Sequence, residues 1–293
     1  MSFFRLTGAG LLGALALLVQ PAAPSAAAPV RAAAAQPAHE RLLPLQGGRN
    51  FRDLGGYRAA DGRTVKWRIL FRSGEMHELT AQDYAYLNRL GIRTVCDFRD
   101  RHERASQPTL WPAGDAPTTF AEDYESAQVG LMPSMDKLTP QKARAMMLAH
   151  YPQMLTTFAP QYRRMFQELL AGHAPLAFHC SGGKDRTGVA SALLLTALGV
   201  PRATVIADYE LTNRYLPAND PQVMKAPTAQ VFARLPAPVR RELSRADAAY
   251  IKAMFARLDA HKDGARGYLR DEMGLSDADI ARLRDLYLER AGR

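Results

Sequence analysis

The sequence predicts an α/β fold, with a mainly parallel central sheet flanked by helices, on three observations. Pro175-Leu176-Ala177-Phe178 is a short apolar run of the kind that forms a buried strand, and the segment from Thr187 to Leu198 behind it is apolar on nearly every side, as a buried helix is. A second helix opens at Thr80 and is followed directly by Ile92 to Cys96, which reads as a strand, so a helix packs between two strands. Hydrophobic residues make up 47% of the 293-residue chain, ample for a core in one large domain or two small ones.

At the start, Met1 to Arg5 is weakly basic, Leu6 to Val19 is an apolar run, and Ser25-Ala26-Ala27 offers small residues for cleavage. Residues 1–27 therefore read as a secretory signal peptide, since the run falls short of the roughly 20 apolar residues a membrane span needs. No cysteine follows it to carry a lipid anchor. Residues 28–42, rich in Ala and Pro, are expected to be a flexible tether, and residues 43–293 a single domain without internal repeats. Thr80 with Asp83 makes an N-terminal capping pair, Leu79 and Tyr84 a hydrophobic staple, and Leu87 and Leu90 extend the buried face until Gly91 ends the helix. Residues 113–157, rich in Met and Pro, carry no strand signal and read as a lid or specificity insert. Within them Thr139-Pro140 predicts a helix from Pro140 to about His150, and Met132, Met135, Met146, Met147 and Met154 suit core or lid packing. Gly199 and Pro201 stop the helix that begins at Thr187. Ser276 with Asp279 caps a last helix whose apolar face is Leu283, Leu286 and Tyr287.

Between the buried strand and its helix lies His179-Cys180-Ser181-Gly182-Gly183-Lys184-Asp185-Arg186-Thr187-Gly188. Cys180 and Arg186 are six residues apart across two glycines, so a thiolate, a guanidinium and a row of backbone N–H groups can surround one tetrahedral anion. The helix N-terminus favours the thiolate, and the planar fork of Arg186 matches two phosphoryl oxygens. The backbone of Ser181, Gly182 and Gly183 and the side chain of Lys184 are expected to bind substrate. The Thr187 hydroxyl is positioned to donate to the sulfur, and His179 to hold the loop. A thiolate that expels an alkoxide or phenoxide needs a carboxylic acid to protonate the leaving oxygen. Asp185, inside the loop, and Asp97, at the end of a neighbouring strand, compete for that role, with Asp123 as a third candidate. The alternative for Asp97 is an ion pair with Arg99 or Arg101; for Asp185, a loop anchor; for Lys184, a solvated surface lysine.

The full string resembles the signature of protein tyrosine phosphatases, and its Gly-Lys-Asp-Arg-Thr-Gly ending is similar to the bacterial tyrosine-phosphatase-like family, which includes dual-specificity and lipid phosphatases. Further motifs carry the resemblance from about Leu43 to Glu289: Asn50-Phe51-Arg52-Asp53-Leu54-Gly55-Gly56-Tyr57, Leu70-Phe71-Arg72-Ser73-Gly74, Gly91 to Arg99, and Asp208-Tyr209-Glu210-Leu211-Thr212-Asn213. Phe98 stands where the family usually has Leu. The resemblance implies a phosphatase fold, a phosphocysteine intermediate, no cofactor, and phosphotyrosine as leading substrate, with phosphoserine, phosphothreonine or phosphoinositides behind it. Lys184 resembles a lysine in loops that act on phosphoinositides. Arg52, Asp53 and Arg72 are expected to form buried ion pairs bracing the sheet, Asp208 to line the pocket, and Tyr209 to pack in the core.

The formal net charge is +9, or +8 once Arg5 leaves with the leader, which suits anionic substrates and transient contact with an anionic membrane surface. No basic stripe with interleaved aromatics points to nucleic acid, and the seven scattered histidines give no metal-ligand spacing. An inositol-polyphosphate phosphatase that scavenges phosphate is the enzyme alternative; a phosphate-binding module without turnover is the non-enzyme one. A permanent disulfide between the two cysteines would silence Cys180, but a reversible Cys96–Cys180 bond would protect it, the plainer role for Cys96 being that of a small buried strand residue.

Overall fold

The computed structural model describes residue 1 and residues 39–114, 116–124, 138–216 and 234–290. The segments read as leader, as most of the tether, and around Met132 and Met135 lie outside the described residues. A five-stranded sheet runs β1 (Arg52–Asp53), β3 (Leu70–Ser73), β6 (Leu176–His179), β4 (Thr94–Asp97), β5 (Thr118–Ala121), with every pair parallel except β1 with β3. A separate antiparallel ribbon joins β2 (Arg63–Val65) to β7 (Leu288–Arg290). The predicted mixed architecture and parallel sheet are thus present.

Strand side chains alternate between two apolar layers, as the period of two requires. Phe71, Val95 and Ala177 face the layer holding Tyr84 and Leu87 of α1 (Ala81–Arg89). Leu70, Cys96, Leu176 and Phe178 face the other, with Phe166 and Leu169 of α4 (Ala159–Leu170) and Val189 and Leu193 of α5 (Arg186–Ala197). Each fully buried Leu, Val or Phe among them contributes about 1.5–3 kcal/mol. The capping boxes expected at Thr80 and Ser276 are both formed, the latter opening α11 (Asp277–Tyr287).

Three departures from the sequence reading matter. The region expected to hold no strand contains β5, an edge strand whose side chains are mostly exposed; main-chain pairing from Thr118 with Thr94 to Ala121 with Asp97 holds it, leaving no apolar alternation to read. The helix expected to end near His150 is α3 (Pro140–Thr157), which runs on through Pro152. A proline inside a helix costs roughly 3 kcal/mol, and burial of Tyr151, Met154 and Leu155 offsets it. Arg41 and Leu42, within the stretch read as tether, already belong to the folded unit. Asp53 N–H donates to Arg41 O (2.9 Å), Leu42 pairs with Arg52, and the Arg41 guanidinium lies 3.8 Å from the Tyr57 ring centroid.

Candidate active site

Cys180 follows the C-terminal end of β6 and is buried, 2% exposed, with the loop to Asp185 leading into α5. The loop is held by its carbonyls. His179 Nδ1 lies 3.3 Å from Cys180 O, Glu75 N–H donates to Ser181 O (2.9 Å), Asn50 Nδ2 donates to Gly182 O (3.3 Å) and Gly183 O (3.0 Å), and Arg72 Nη2 donates to Gly183 O (2.8 Å). Four successive carbonyls are therefore tied outward. Among the described residues no backbone N–H from Ser181 to Arg186 has an internal acceptor. A row of unpaired amides at a helix start is an anion nest.

Gly183 makes this path sterically feasible. Its φ is +64°, and a Cβ there would stand 2.5 Å from Gly74 N and from the Ser73 carbonyl carbon and oxygen. Gly183→Ala is expected to cost about 2 kcal/mol or more, because left-handed strain adds to a backbone overlap that no side-chain rotation relieves. Gly182→Ala, whose Cβ would meet only Leu216 Cδ2 at 3.6 Å, is the matched control. Urea denaturation and kcat of the pair check the expectation, and equal behaviour would refute it.

Arg186 donates through Nη1 to Glu103 Oε2 (2.6 Å), Tyr124 Oη (2.6 Å) and Phe98 O (3.0 Å), and through Nη2 to Glu103 Oε1 (2.8 Å) and Ser181 Oγ (3.2 Å). Its Nε–H has no acceptor among the described residues. Burial pushes the Glu103 carboxyl up, but the Arg186 charge and hydrogen bonds from Arg186 and Ser181 bring it to about 2. Glu103 sits at the N3 position of α2 (Arg101–Ser106), in a capping box with Asp100. The sequence reading missed Glu103 and Tyr124; the Asp-x-x-Glu spacing signalled a helix start, and nothing local signalled its partner 83 residues on.

The two leading acid candidates are in different surroundings. Asp97 is 4% exposed, and its carboxylate accepts from Arg99 Nη2 (2.7 Å) and Nε (2.9 Å), with His179 Nε2 at 3.6 Å. Burial raises its carboxyl, yet His179 and Arg99 keep it below the usual carboxylate range. Asp123 is exposed and paired with Arg101 and Arg104. Asp185 occupies the N-cap position of α5 without capping it, so its carboxylate points elsewhere. Oδ1 accepts from Tyr151 Oη and Lys184 Nζ, both at 2.7 Å. Burial raises this carboxyl too, and the Lys184 charge with the two hydrogen bonds outweighs it and lowers the pKa. Lys184 is 5% exposed and so is not a solvated surface lysine.

Arg52 and Arg72 are the buried braces expected, and they converge on Asp208. Arg52 Nε and Arg72 Nη1 donate to its two oxygens at 3.1 and 2.6 Å, with Tyr57 Oη adding 2.9 Å. Asp208 is 1% exposed and braces the loop from behind; the cavity it lines with Arg41, Tyr57, Ala207 and Leu211 does not include the Cys180 loop. Asp53 accepts from the backbone N–H groups of Gly55 (2.7 Å) and Arg68 (2.6 Å), fixing a turn. The Thr187 hydroxyl donates to Ser73 O at 3.5 Å rather than to the sulfur. Cys96 pairs in register with Phe178, two residues before Cys180. Strand spacing and rise put the two cysteine Cα atoms about 8 Å apart, beyond disulfide reach without backbone movement. Burial also raises the Cys96 thiol far above its usual pKa, so the packing role fits Cys96 better.

A buried cysteine, an arginine braced by a carboxylate and a row of unpaired amides form an arrangement suited to holding a tetrahedral anion beside a thiol. The sequence profile of the tyrosine phosphatase family matches residues 43–289, and the chain belongs to that family. It is 34% identical over 249 residues to a Cupriavidus necator protein named "Putative tyrosine-protein phosphatase", covering 82% of this chain and 85% of that one. It is 30% identical over 278 residues to the triple specificity protein phosphatase PtpB of Mycobacterium tuberculosis, covering 83% and 98%. It is 28% identical over 224 residues to a tyrosine-protein phosphatase of Nostoc commune, covering 73% and 72%. The protein is a phosphatase, and its substrates are phosphorylated molecules.

Proposed function

We propose that this phosphatase is exported and hydrolyses phosphomonoesters, phosphotyrosine in proteins foremost, through a phosphocysteine intermediate. The observation that carries the reading is the loop itself: carbonyls of residues 180–183 tied outward and amides of residues 181–186 left unpaired around Cys180 and Arg186. In the first step the Cys180 thiolate attacks phosphorus and the ester P–O bond breaks. The bonding electrons go to the leaving oxygen, which takes the proton of Asp185. The amides and the Nε side of Arg186 stabilise the charge spread over the phosphoryl oxygens. In the second step water attacks phosphorus, Asp185 takes a proton from it, the S–P bond breaks and phosphate leaves. An incoming dianion draws Lys184 Nζ from Asp185 and sets like charge beside the carboxylate, and both effects favour the protonated acid. Asp97, committed to Arg99 and His179, holds the loop through the His179 contact to the Cys180 carbonyl.

Export rests on the apolar leader in residues 1–27, and transient contact with an anionic membrane surface on the basic charge. Lys184, buried inside the loop beside Asp185, supports phosphoinositides as a second substrate class. Asp185→Asn is expected to slow alkyl phosphate hydrolysis about 10²-fold or more, and an activated aryl phosphate far less. Equal losses would make Asp185 a loop anchor, and leaving-group dependence in Asp97→Asn alone would move the acid there. Acid quench of enzyme mixed with ³²P-labelled phosphotyrosine peptide, phosphoinositide or inositol hexakisphosphate tests intermediate and substrate together. A label retained on Cys180 with peptide supports the reading, and turnover of peptide without any labelled enzyme overturns it.

A further inference from the structure

Asp185 is held from a part of the chain that no loop motif includes. Tyr151 on α3 is fully buried, and its hydroxyl donates to Asp185 Oδ1 at 2.7 Å. A hydroxyl has one hydrogen. Tyr151 spends it on the carboxylate, so the close contact between the Tyr151 and Tyr209 hydroxyls must be a bond donated by Tyr209. The chain runs Tyr209 Oη to Tyr151 Oη to Asp185 Oδ1, each link polarising the next.

Packing fixes both rings. Tyr151 meets Tyr209 edge-on, centroids 5.9 Å apart, and Tyr250 of α9 (Ala248–Asp259) at 5.7 Å. Tyr209 on α6 (Arg202–Glu210) lies against Gly188, where a Cβ would stand 3.0 Å from its ring. With Oδ1 taken by Tyr151 and Lys184, Oδ2 has no partner among the described residues. The oxygen that can carry a proton to the leaving group is thereby singled out.

We propose that Tyr151, supported by Tyr209, is a positioning residue that orients Asp185 so that Oδ2 faces the leaving oxygen. The inference rests on Asp185 being the general acid. It also has a consequence for pH dependence. Lys184 of the loop, His150 and Tyr151 of α3, and Tyr209 of α6 are the charged and titratable groups facing Asp185. A donor to a carboxylate favours its ionised form; deleting that donor lets the acid keep its proton to higher pH.

The test is Tyr151→Phe, isosteric apart from the hydroxyl. The expected result is a fall of about 10-fold in kcat for an alkyl phosphate, with KM little changed and p-nitrophenyl phosphate affected several-fold less. The basic limb of the kcat–pH profile should move up by about half a unit. Tyr209→Phe should move both readouts in the same direction by less, and serves if Tyr151→Phe does not fold. Adding Tyr151→Phe to Asp185→Asn should cause no further leaving-group dependence. Equal losses on both substrates with an unmoved pH limb would reduce Tyr151 to packing and overturn the proposal. If Asp185→Asn itself shows no leaving-group dependence, the assignment of the acid has failed. If Asp185→Asn shows it and neither tyrosine variant does, the assignment stands and the positioning role falls.

Discussion

Cys180→Ser is expected to remove turnover by roughly 10⁴-fold or more while the fold and phosphate binding persist. In the proposed mechanism the sulfur is the group that bonds to phosphorus, whereas the anion nest is made of backbone. Its shape is set by Asn50, Arg72, Glu75 and His179, none of which contacts the sulfur in the bonds described. Thermal unfolding and inorganic phosphate binding should match the wild type, and steady-state turnover above trace contamination would refute covalent catalysis by Cys180.

The largest stability effect is expected at Asp208, away from the reacting atoms. Arg52 and Arg72 are both 0% exposed, and Asp208 offers each of them a carboxylate oxygen. Asp208→Asn leaves two buried guanidinium groups without that charge, and breaking such a network costs about 3–5 kcal/mol. For a domain of this size that lowers Tm by roughly 6–20 °C. Arg72 also holds Gly183 O, so kcat should fall alongside stability. The pH dependence has a definite sign. Burial raises the Asp208 carboxyl, but Arg52 and Arg72 hold it well below the carboxylate range. The stabilisation is therefore complete above about pH 4, the unfolded value, and is lost as pH falls toward the lower folded value. Glu103, at about 2 against Arg186, adds to the same acid limb. Chemical denaturation at pH 7 and pH 3 checks this: the gap between wild type and Asp208→Asn should narrow at the lower pH, and a constant gap would contradict it.

The amino-acid sequence by itself determined the strand, loop and helix around Cys180, the caps at Thr80 and Ser276, the parallel sheet and the family, because these rest on neighbours a few residues apart. Short-range patterns of apolar residues, caps and glycines act through local backbone geometry, and Gly183 could be read as a tight turn without knowing what it turns against. Tertiary structure alone decided the partners. Glu103 reaches Arg186 across 83 residues, and Arg72 reaches Gly183 across 111. Tyr151 reaches Asp185 across 34, from a helix turn beyond the end expected near His150. Two aspartates that looked alike in sequence were separated in the same way: Asp97 met the fork of Arg99, while Asp185 kept one oxygen unpartnered among the described residues. A carboxylate's chemistry is set by the charges and donors packed around it, and those come from chain segments whose approach only the folded core dictates.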